Sequence, residues 1–372
     1  MKIGLITIFQ VPNYGSVLQA FATQKILEKC GAECKIINYK YPNEWHFKHG
    51  FARPRKTIKE KLGFLLGLTP YYRRLKELDN FRKKYLNLTN IYNTHRDLIN
   101  EKFKDFDLFV VGSDQVWNTK FLKGDPFFLL FFLNKNIRRI SIASSFAQKT
   151  LDCNFETLFK TELSNFDAIS VREKNGIKII EEQLGINKNV KLILDPTLLL
   201  SKNDWFKFIQ RSKYKPKKKY ILWYVLSYAF QPKPYILEVA KYYKEILGDV
   251  DIIALEGYCQ DLDNENFQMI NKEDSSLPEF IDLFANAELI ITSSFHGTAF
   301  AVNFGKPLIS VVPNNKEDDR QTSLLEALSL WGSIATINKD LSTLNPYYDI
   351  VEEQVKLNSI RTDSITWIKN HL

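Results

Sequence analysis

One histidine in the sequence lies where a side chain could carry out chemistry. His296 is part of Ser293-Ser-Phe-His-Gly-Thr298, which follows an apolar run typical of a buried strand and precedes a small-residue run typical of a helix. Ligands of α/β proteins bind at the carboxyl ends of parallel strands, and the free N–H groups of a helix N-terminus favour an anion. An unperturbed histidine also titrates near neutral pH. We therefore predict a functional His296, the alternative being a hydrogen-bonded histidine of the core.

Two further turns carry more hydrogen-bonding side chains than a turn requires. The first is Asn13-Tyr-Gly-Ser16, whose glycine would permit close backbone approach and whose serine would cap the next helix. The second is Gly112-Ser-Asp-Gln-Val-Trp-Asn118, in which Asp114 is either a helix cap or a ligand contact. Neither turn is a GxGxxG motif, so dinucleotide binding is not indicated. The candidate ligand contacts at these turns are Asn13, Tyr14, Gly15, Ser113, Asp114, Gln115, Trp117 and Asn118.

Two arginines follow other predicted strands. Arg172 could hold a phosphate or carboxylate through two parallel hydrogen bonds, or it could pair with an acidic side chain at the surface. Arg320 could reach the same cleft as His296, the alternative being a charged surface loop. Asp195-Pro-Thr197 is expected to shape a hinge between the two halves of the chain instead of touching a ligand.

The elements that must position these residues alternate between strand and helix in both halves of the chain. Apolar runs without a two-residue period are typical of parallel strands covered on both faces, and the alternation indicates right-handed βαβ units. We predict an α/β fold with two Rossmann-like lobes facing a cleft. The lobes are residues 1–196, with a basic helical insertion at 43–84, and residues 197–372, with a terminal helix at 352–371 that packs back. Strands are predicted at 2–8, 34–39, 107–111, 139–143, 168–171, 190–194, 220–226, 250–255, 288–292, 307–312 and 334–337.

The composition is that of a globular protein. The 372 residues include 45% hydrophobic and 25% charged residues, which excludes a disordered chain, and no apolar run is long enough to span a bilayer. The four cysteines show no metal-ligand spacing and indicate a reducing compartment, so a cytoplasmic location is expected.

Basic residues are concentrated in one segment of a chain whose net charge is +8. In residues 43–84, lysine and arginine are interleaved with aromatic and leucine side chains. This composition would suit an anionic membrane surface or a phosphate-rich substrate, and the alternative is a pair of solvated basic helices. No nucleic-acid signature accompanies the segment, so a nucleic-acid partner is not expected.

Taken in order along the chain, the turns resemble the motifs of the polysaccharide pyruvyl transferase family. The resemblance runs from Lys2 to about Leu330. It implies a two-lobed fold of the glycosyltransferase-B type and the transfer of the enolpyruvyl group of phosphoenolpyruvate onto a sugar diol, which gives a cyclic pyruvate ketal and phosphate. The matching motifs are Asn13-Tyr-Gly-Ser16, Gly112-Ser-Asp-Gln-Val-Trp-Asn118, Val171-Arg-Glu173, Asp195-Pro-Thr197, Ser294-Phe-His-Gly297 and Gly305-Lys-Pro307.

The resemblance also implies roles for individual residues. His296 and Asp114 would transfer protons, and Tyr14 and Trp117 would stack on a sugar face. Many family members carry an arginine where this sequence has Ser294, so Arg172, Arg320 or Lys306 would have to supply that charge. No metal or other cofactor is implied. The donor phosphoenolpyruvate would bind at Ser294, Gly297, Thr298, Arg172 and Arg320, and the glycan acceptor at Asn13, Tyr14, Gly15, Ser113, Gln115, Trp117 and Asn118.

Two other functions stay open on the sequence alone. A nucleotide-sugar glycosyltransferase of the same fold would bind a uridine or guanosine diphosphate near residues 293–298. A non-catalytic component of polysaccharide assembly would use residues 43–84 to lie on a membrane. The same segment would allow a lipid-linked acceptor and peripheral contact with the inner face of the membrane.

Overall fold

The first half of the chain forms a five-stranded parallel sheet. Its strands are β1 Lys2–Ile6, β2 Glu33–Tyr39, β3 Leu88–Tyr92, β4 Leu108–Val111 and β5 Arg138–Ser141. The computed structural model describes residues 1–40, 62–63, 66–259 and 269–372. In the sheet order β3-β2-β1-β4-β5, the most completely buried strands are central, because their runs of apolar residues are covered on both faces.

The second half of the chain forms a six-stranded parallel sheet. A short parallel pair, β6 Ser170–Val171 and β7 Lys191–Leu192, lies between the two sheets in sequence. The larger sheet consists of β8 Tyr220–Tyr224, β9 Asp251–Glu256, β10 Met269–Asn271, β11 Leu289–Thr292, β12 Leu308–Val312 and β13 Ile334–Thr336. Its order is β10-β9-β8-β11-β12-β13.

Helices connect the strands of both sheets. Those of the first half are α1 Tyr14–Lys29, α2 Pro70–Tyr85, α3 His95–Glu101, α4 Thr119–Leu122, α5 Cys153–Leu163, α6 Lys174–Lys178 and α7 Pro196–Leu199. Those of the second half are α8 Lys202–Phe208, α9 Tyr235–Leu247, α10 Leu277–Asn286, α11 Phe295–Asn303, α12 Arg320–Ala327 and α13 Ile350–His371. No described helix is both long and apolar enough to cross a membrane.

The two sheets belong to two Rossmann-like lobes that share a buried apolar contact. Tyr14 on α1 stacks on Phe280 of α10 with ring centroids 4.9 Å apart. Trp205 touches Phe21 of α1 on one side and Phe300 of α11 on the other, with centroid distances of 5.9 and 5.2 Å. The predicted α/β fold with two lobes is therefore confirmed. The predicted division at residue 196 falls in α7 and stays a prediction.

Several local predictions need correction. The strands β3 and β10 were not expected; both lie at the edge of a sheet, where a strand needs few apolar residues. Asn13, not Ser16, caps α1, because its Oδ1 accepts the N–H groups of Gly15 and Ser16. Of the basic insertion predicted at 43–84, the structure describes α2 and a few residues before it; the rest lies outside the described residues.

Candidate active site

His296 lies at the start of α11, in the seam between the two lobes. Ser294 caps this helix, and its Oγ accepts the N–H of Gly297 at 3.4 Å. The imidazole packs on the first turn of α1, where a Cβ added to Gly15 would lie 2.2 Å from Nδ1 of His296. Only 6% of His296 is exposed, and within the described ranges its Nε2 atom has no hydrogen-bond partner. An unpartnered buried ring nitrogen is uncommon and marks His296 as a candidate functional residue.

The carboxylate nearest to the imidazole belongs to Asp195, which caps α7. Its Oδ2 accepts Ser113 Oγ at 2.6 Å and Arg172 Nη1 at 2.7 Å. His296 Nε2 lies 3.8 Å from the same oxygen. Burial by itself would raise the pKa of Asp195, but the charges of His296 and Arg172 lower it below its ordinary value. Asp195 therefore places a negative charge beside the histidine.

Asp114 supplies a second buried carboxylate to this group. Its φ of 73° lies in the left-handed region, which is uncommon outside glycine and is found at functional positions more often than elsewhere. Its Oδ2 accepts Ser16 Oγ at 2.6 Å, and its Oδ1 lies 3.5 Å from Arg172 Nη2. Burial would raise the pKa of Asp114, but His296 and Arg172 lower it.

Arg172 lies between the two carboxylates. Its side chain has no exposed surface, and its guanidinium carbon is 4.4 Å from the centroid of the Phe295 ring. In the described part of the chain, its Nε and Nη2 atoms have no hydrogen-bond partner. Arg172 therefore pairs with buried acids and not with the surface acid that the sequence left open. A donor-binding role for it stays a prediction.

A cavity of about 120 Å³ lies beside this charged group and is lined by both lobes. Polar amides and a guanidinium alternate with aromatic rings on its walls, which is a composition typical of small-molecule sites. Within the ranges that the structure describes, no group of three or more His, Cys, Asp or Glu side chains could hold a metal ion. Its lining includes Gln115, Asn118, Phe121, Tyr228, Ser294, Phe295, Asn315 and Arg320.

Arg320 lines the cavity from the first turn of α12 and is 5% exposed, so the expected alternative of a surface loop is wrong. Its Nε donates to Asp318 Oδ1 at 2.8 Å, and its Nη2 donates to the other oxygen of the same carboxylate. Ser294 lines the same cavity. The third cation considered for the missing arginine, Lys306, is not among the lining residues.

The two aromatic residues expected to stack on a sugar lie inside the protein instead. Trp117 is 1% exposed, packs on Phe146 and donates its indole N–H to Phe128 O at 3.0 Å. Tyr14 has no exposed surface, and its hydroxyl donates to Ser275 O at 2.7 Å in the other lobe. Both predictions are corrected: neither ring has a face open to a sugar.

Three small residues predicted to bind ligand also have structural roles, and their ligand contacts stay predictions. Gly15 permits the close approach of His296, as described above. A Cβ on Gly297 would lie 2.2 Å from Thr292 Oγ1, so this glycine lets α11 pack on β11. Thr298 is fully buried, and its hydroxyl contacts Ser310 Oγ at 2.8 Å beneath the helix.

Of the remaining candidates from the two turns, some support the site through hydrogen bonds and others line the cavity. Asn13 caps α1, and Ser113 holds Asp195. Gln115 and Asn118 line the cavity and bond to each other, Asn118 Nδ2 donating to Gln115 Oε1 at 2.9 Å. Gln115 also donates across the seam to the hydroxyl of Tyr228 at 3.1 Å.

Sequence reasoning missed three residues of this site. Asp195 was taken for a hinge residue, and Tyr228 lies in a loop without any motif. Glu173 is fully buried and accepts the N–H of Phe146 at 2.8 Å. Burial raises the pKa of Glu173 to about 7, although Arg172 opposes the shift. Only the motif around Arg172 could have drawn attention to Glu173.

Comparison with known proteins agrees with this architecture. A family model described as polysaccharide pyruvyl transferase matches residues 13–315. The structure of S. aureus MnaA with UDP is 13% identical over 97% of this chain and 96% of that chain, with a TM-score of 0.52. A UDP-GlcNAc 2-epimerase from Methanocaldococcus jannaschii is 14% identical over 95% and 98% of the chains, with a TM-score of 0.52. No curated protein matches the sequence. At these identities the likeness shows the fold, which is of the glycosyltransferase-B type.

Proposed function

Since the chain belongs to the polysaccharide pyruvyl transferase family, we propose that it transfers the enolpyruvyl group of phosphoenolpyruvate onto a sugar diol of a surface-polysaccharide precursor. The product is a cyclic pyruvate ketal. Both sugar hydroxyls bond to C2 of the donor, and the C2–O bond to phosphate breaks. One hydroxyl proton ends on the former methylene carbon, which becomes a methyl group, and the other leaves with phosphate.

The observation that carries this proposal is the buried group formed by His296, Asp195, Arg172 and Asp114. The reaction needs one proton delivered to carbon and one removed from a hydroxyl, so it needs positioned groups that exchange protons near neutral pH. His296 has an unpartnered Nε2 that lies 3.8 Å from a carboxylate oxygen of Asp195, so it is our first candidate for one of these proton transfers. Asp114 is the second candidate, as base or as anchor of the acceptor.

We further propose that Arg320 supplies the charge that other family members obtain from an arginine at the position of Ser294. Both residues line the same cavity, and the position adjacent to the helix N-terminus at Ser294 favours an anion. Arg320 is held by Asp318 and is therefore fixed before a ligand arrives. A guanidinium matches the geometry of a phosphate or a carboxylate.

The test measures donor binding and turnover separately. Thermal-shift titrations with phosphoenolpyruvate, uridine diphosphate and guanosine diphosphate would be run on the wild type, Arg320→Gln and Arg96→Gln, the last being an exposed control arginine on α3. We expect stabilisation by phosphoenolpyruvate alone, lost in Arg320→Gln and kept in Arg96→Gln. Stabilisation by a nucleotide alone would assign the protein to glycosyl transfer. Turnover is then read as phosphate release that depends on a glycan acceptor.

A lipid-linked acceptor and peripheral membrane contact form part of the same proposal. On α2, Lys76, Lys83 and Lys84 are exposed. Arg73 and Arg74 pair with acids of the second lobe instead. Sedimentation with anionic and neutral vesicles tests this contact: binding to the anionic vesicles alone, weakened by salt, is expected. Equal recovery in both pellets would contradict it.

A further inference from the structure

Two aromatic rings meet across the cavity, one from each lobe. Phe121 lies in α4, and Tyr228 lies in the segment after β8. Their ring centroids are 5.8 Å apart with an angle of 66° between the ring planes, and both rings line the cavity. Tyr228 is 43% exposed although its hydroxyl is held by Gln115 at 3.1 Å.

This arrangement leaves the Tyr228 side chain partly exposed and at the same time holds it in place. Tyr228 is anchored at both ends: Phe121 packs against its ring, and Gln115 of the first lobe donates to its oxygen. Exposed aromatic surface costs free energy in water, and a held ring loses little further entropy when a ligand covers it. Such a ring is suited to binding, whereas Tyr14 and Trp117 are covered by the protein itself.

The surroundings of the ring match the chemistry of a pyranose. A pyranose has a face of C–H groups and an equatorial belt of hydroxyls, so it needs an apolar plane bordered by donors and acceptors. Here the amides of Gln115, Asn118 and Asn315 line the same cavity as the Tyr228 ring, and Gln115 donates to the Tyr228 hydroxyl.

The lining of the cavity thus combines two kinds of chemistry. Arg320 and Ser294 present charge and a helix N-terminus, which suit the anionic donor. The aromatic pair and the amides suit a neutral ring with hydroxyls. Phe295 lines the cavity and separates it from His296, whose ring centroid lies 5.3 Å from that of Phe295.

We propose that Tyr228, supported by Phe121 and Gln115, is the platform on which the acceptor pyranose stacks. This inference rests on the proposed function, because it assigns the acceptor position of the same site. It replaces Trp117 and Tyr14 as the stacking residues.

The test compares Tyr228→Ala and Tyr228→Phe with Tyr347→Ala, which removes a tyrosine that is 49% exposed elsewhere in the second lobe. Saturation-transfer NMR would use methyl pyranosides of glucose, galactose, mannose and N-acetylglucosamine as probes, with phosphoenolpyruvate present. We expect transfer to the axial C–H protons of at least one pyranoside. The signal should disappear in Tyr228→Ala and persist in Tyr228→Phe and Tyr347→Ala.

A kinetic readout separates this inference from the proposed function. At saturating phosphoenolpyruvate, Tyr228→Ala should raise the acceptor KM about tenfold or more, while the thermal shift caused by the donor stays unchanged. Pyranoside binding that is equal in Tyr228→Ala and the wild type, or absent from the wild type, would overturn the platform. Loss of a nucleotide-induced shift in Tyr228→Ala would overturn it too, since the ring would then hold a base. A wild type that binds pyranosides through Tyr228 but releases no phosphate would refute the proposed function alone.

Discussion

Two carboxylates, one guanidinium and one imidazole share the buried space between the lobes. With Asp114 and Asp195 ionised and Arg172 charged, the group has a net charge of zero only when His296 is protonated. The contact of 3.8 Å between His296 Nε2 and Asp195 Oδ2 gives that proton a fixed electrostatic partner. Within this buried group, His296 is therefore the side chain whose positive charge would balance the second carboxylate.

Replacing the histidine should therefore remove turnover without unfolding the protein. We expect His296→Gln to lower acceptor-dependent phosphate release by about 10²–10⁴-fold, because glutamine cannot transfer a proton. His95→Gln is the matched control, since His95 pairs with Asp125 on the other side of the first lobe and lies outside the site. Circular dichroism would establish that both variants fold. Turnover in His296→Gln equal to that of His95→Gln would exclude a catalytic histidine.

Gly15 offers a second test at this scale. Inside a helix, alanine is favoured over glycine by about 1 kcal/mol, yet the new Cβ would lie 2.2 Å from the imidazole. We expect Gly15→Ala to destabilise the protein by about 1–3 kcal/mol through overpacking and to displace His296. Chemical denaturation of a double-mutant cycle with His296→Ala measures the clash. Stability that is not recovered in the double variant would show that the glycine is needed for another reason.

At the scale of elements, sheet burial accounts for what could be predicted from the sequence. The central strands are apolar runs whose two faces are both covered, so hydrophobicity alone marks them. The strand β3 contains Thr89 and Asn90 and has only one buried residue, so no such signal exists. The local sequence also does not reveal which side of a helix or turn is covered by the opposite lobe. Tyr14 and Trp117 were therefore placed in the cleft, and the pairing of Asp195 with Arg172 was missed.

The start of α6 provides a prediction about pH. Glu173 occupies the N-cap position of this helix without a capping hydrogen bond from its side chain, and its carboxyl group faces Asp319, Arg172 and Arg320. Its pKa of about 7 lies above the value of about 4.3 in an unfolded chain, so the folded state binds the proton more tightly. Glu353 on α13 is a second buried carboxyl whose pKa burial raises to about 7. The stabilisation from each is present below about pH 4 and is lost as the pH rises through 7.

We therefore expect the free energy of unfolding to fall between about pH 4 and pH 7, by up to roughly 3 kcal/mol for a fully buried carboxyl. Glu173→Gln and Glu353→Gln each mimic the protonated side chain and should each remove part of this slope. Urea denaturation at several pH values measures it. A slope of the same size in the double variant as in the wild type would assign it to other groups.

At the scale of the whole molecule, α2 joins the two lobes. Arg74 on this helix forms a buried ion pair with Glu256 at the end of β9, and its guanidinium lies 5.6 Å from the Tyr14 ring. The neighbouring Arg73 pairs with Asp274 at 2.8 Å near the surface. These contacts tie α2 of the first lobe to the second lobe, so we infer that the helix helps to hold the two lobes together.

The two adjacent arginines make this idea testable with a close control. Arg74→Met removes the buried partner of Glu256, and breaking a comparable buried pair costs about 3–5 kcal/mol. Arg73→Met removes a pair whose arginine is 49% exposed, and exposed pairs contribute about 0–1 kcal/mol. We expect a larger radius of gyration in small-angle X-ray scattering and a lower melting temperature for Arg74→Met alone. Adding Glu256→Gln should recover part of the stability, because it removes the carboxylate that has lost Arg74. The radius of gyration should stay larger, because the ion pair between the lobes is still absent. Identical scattering from the Arg74 and Arg73 variants would mean that the buried apolar contact of α1 with α10, and not α2, holds the lobes together.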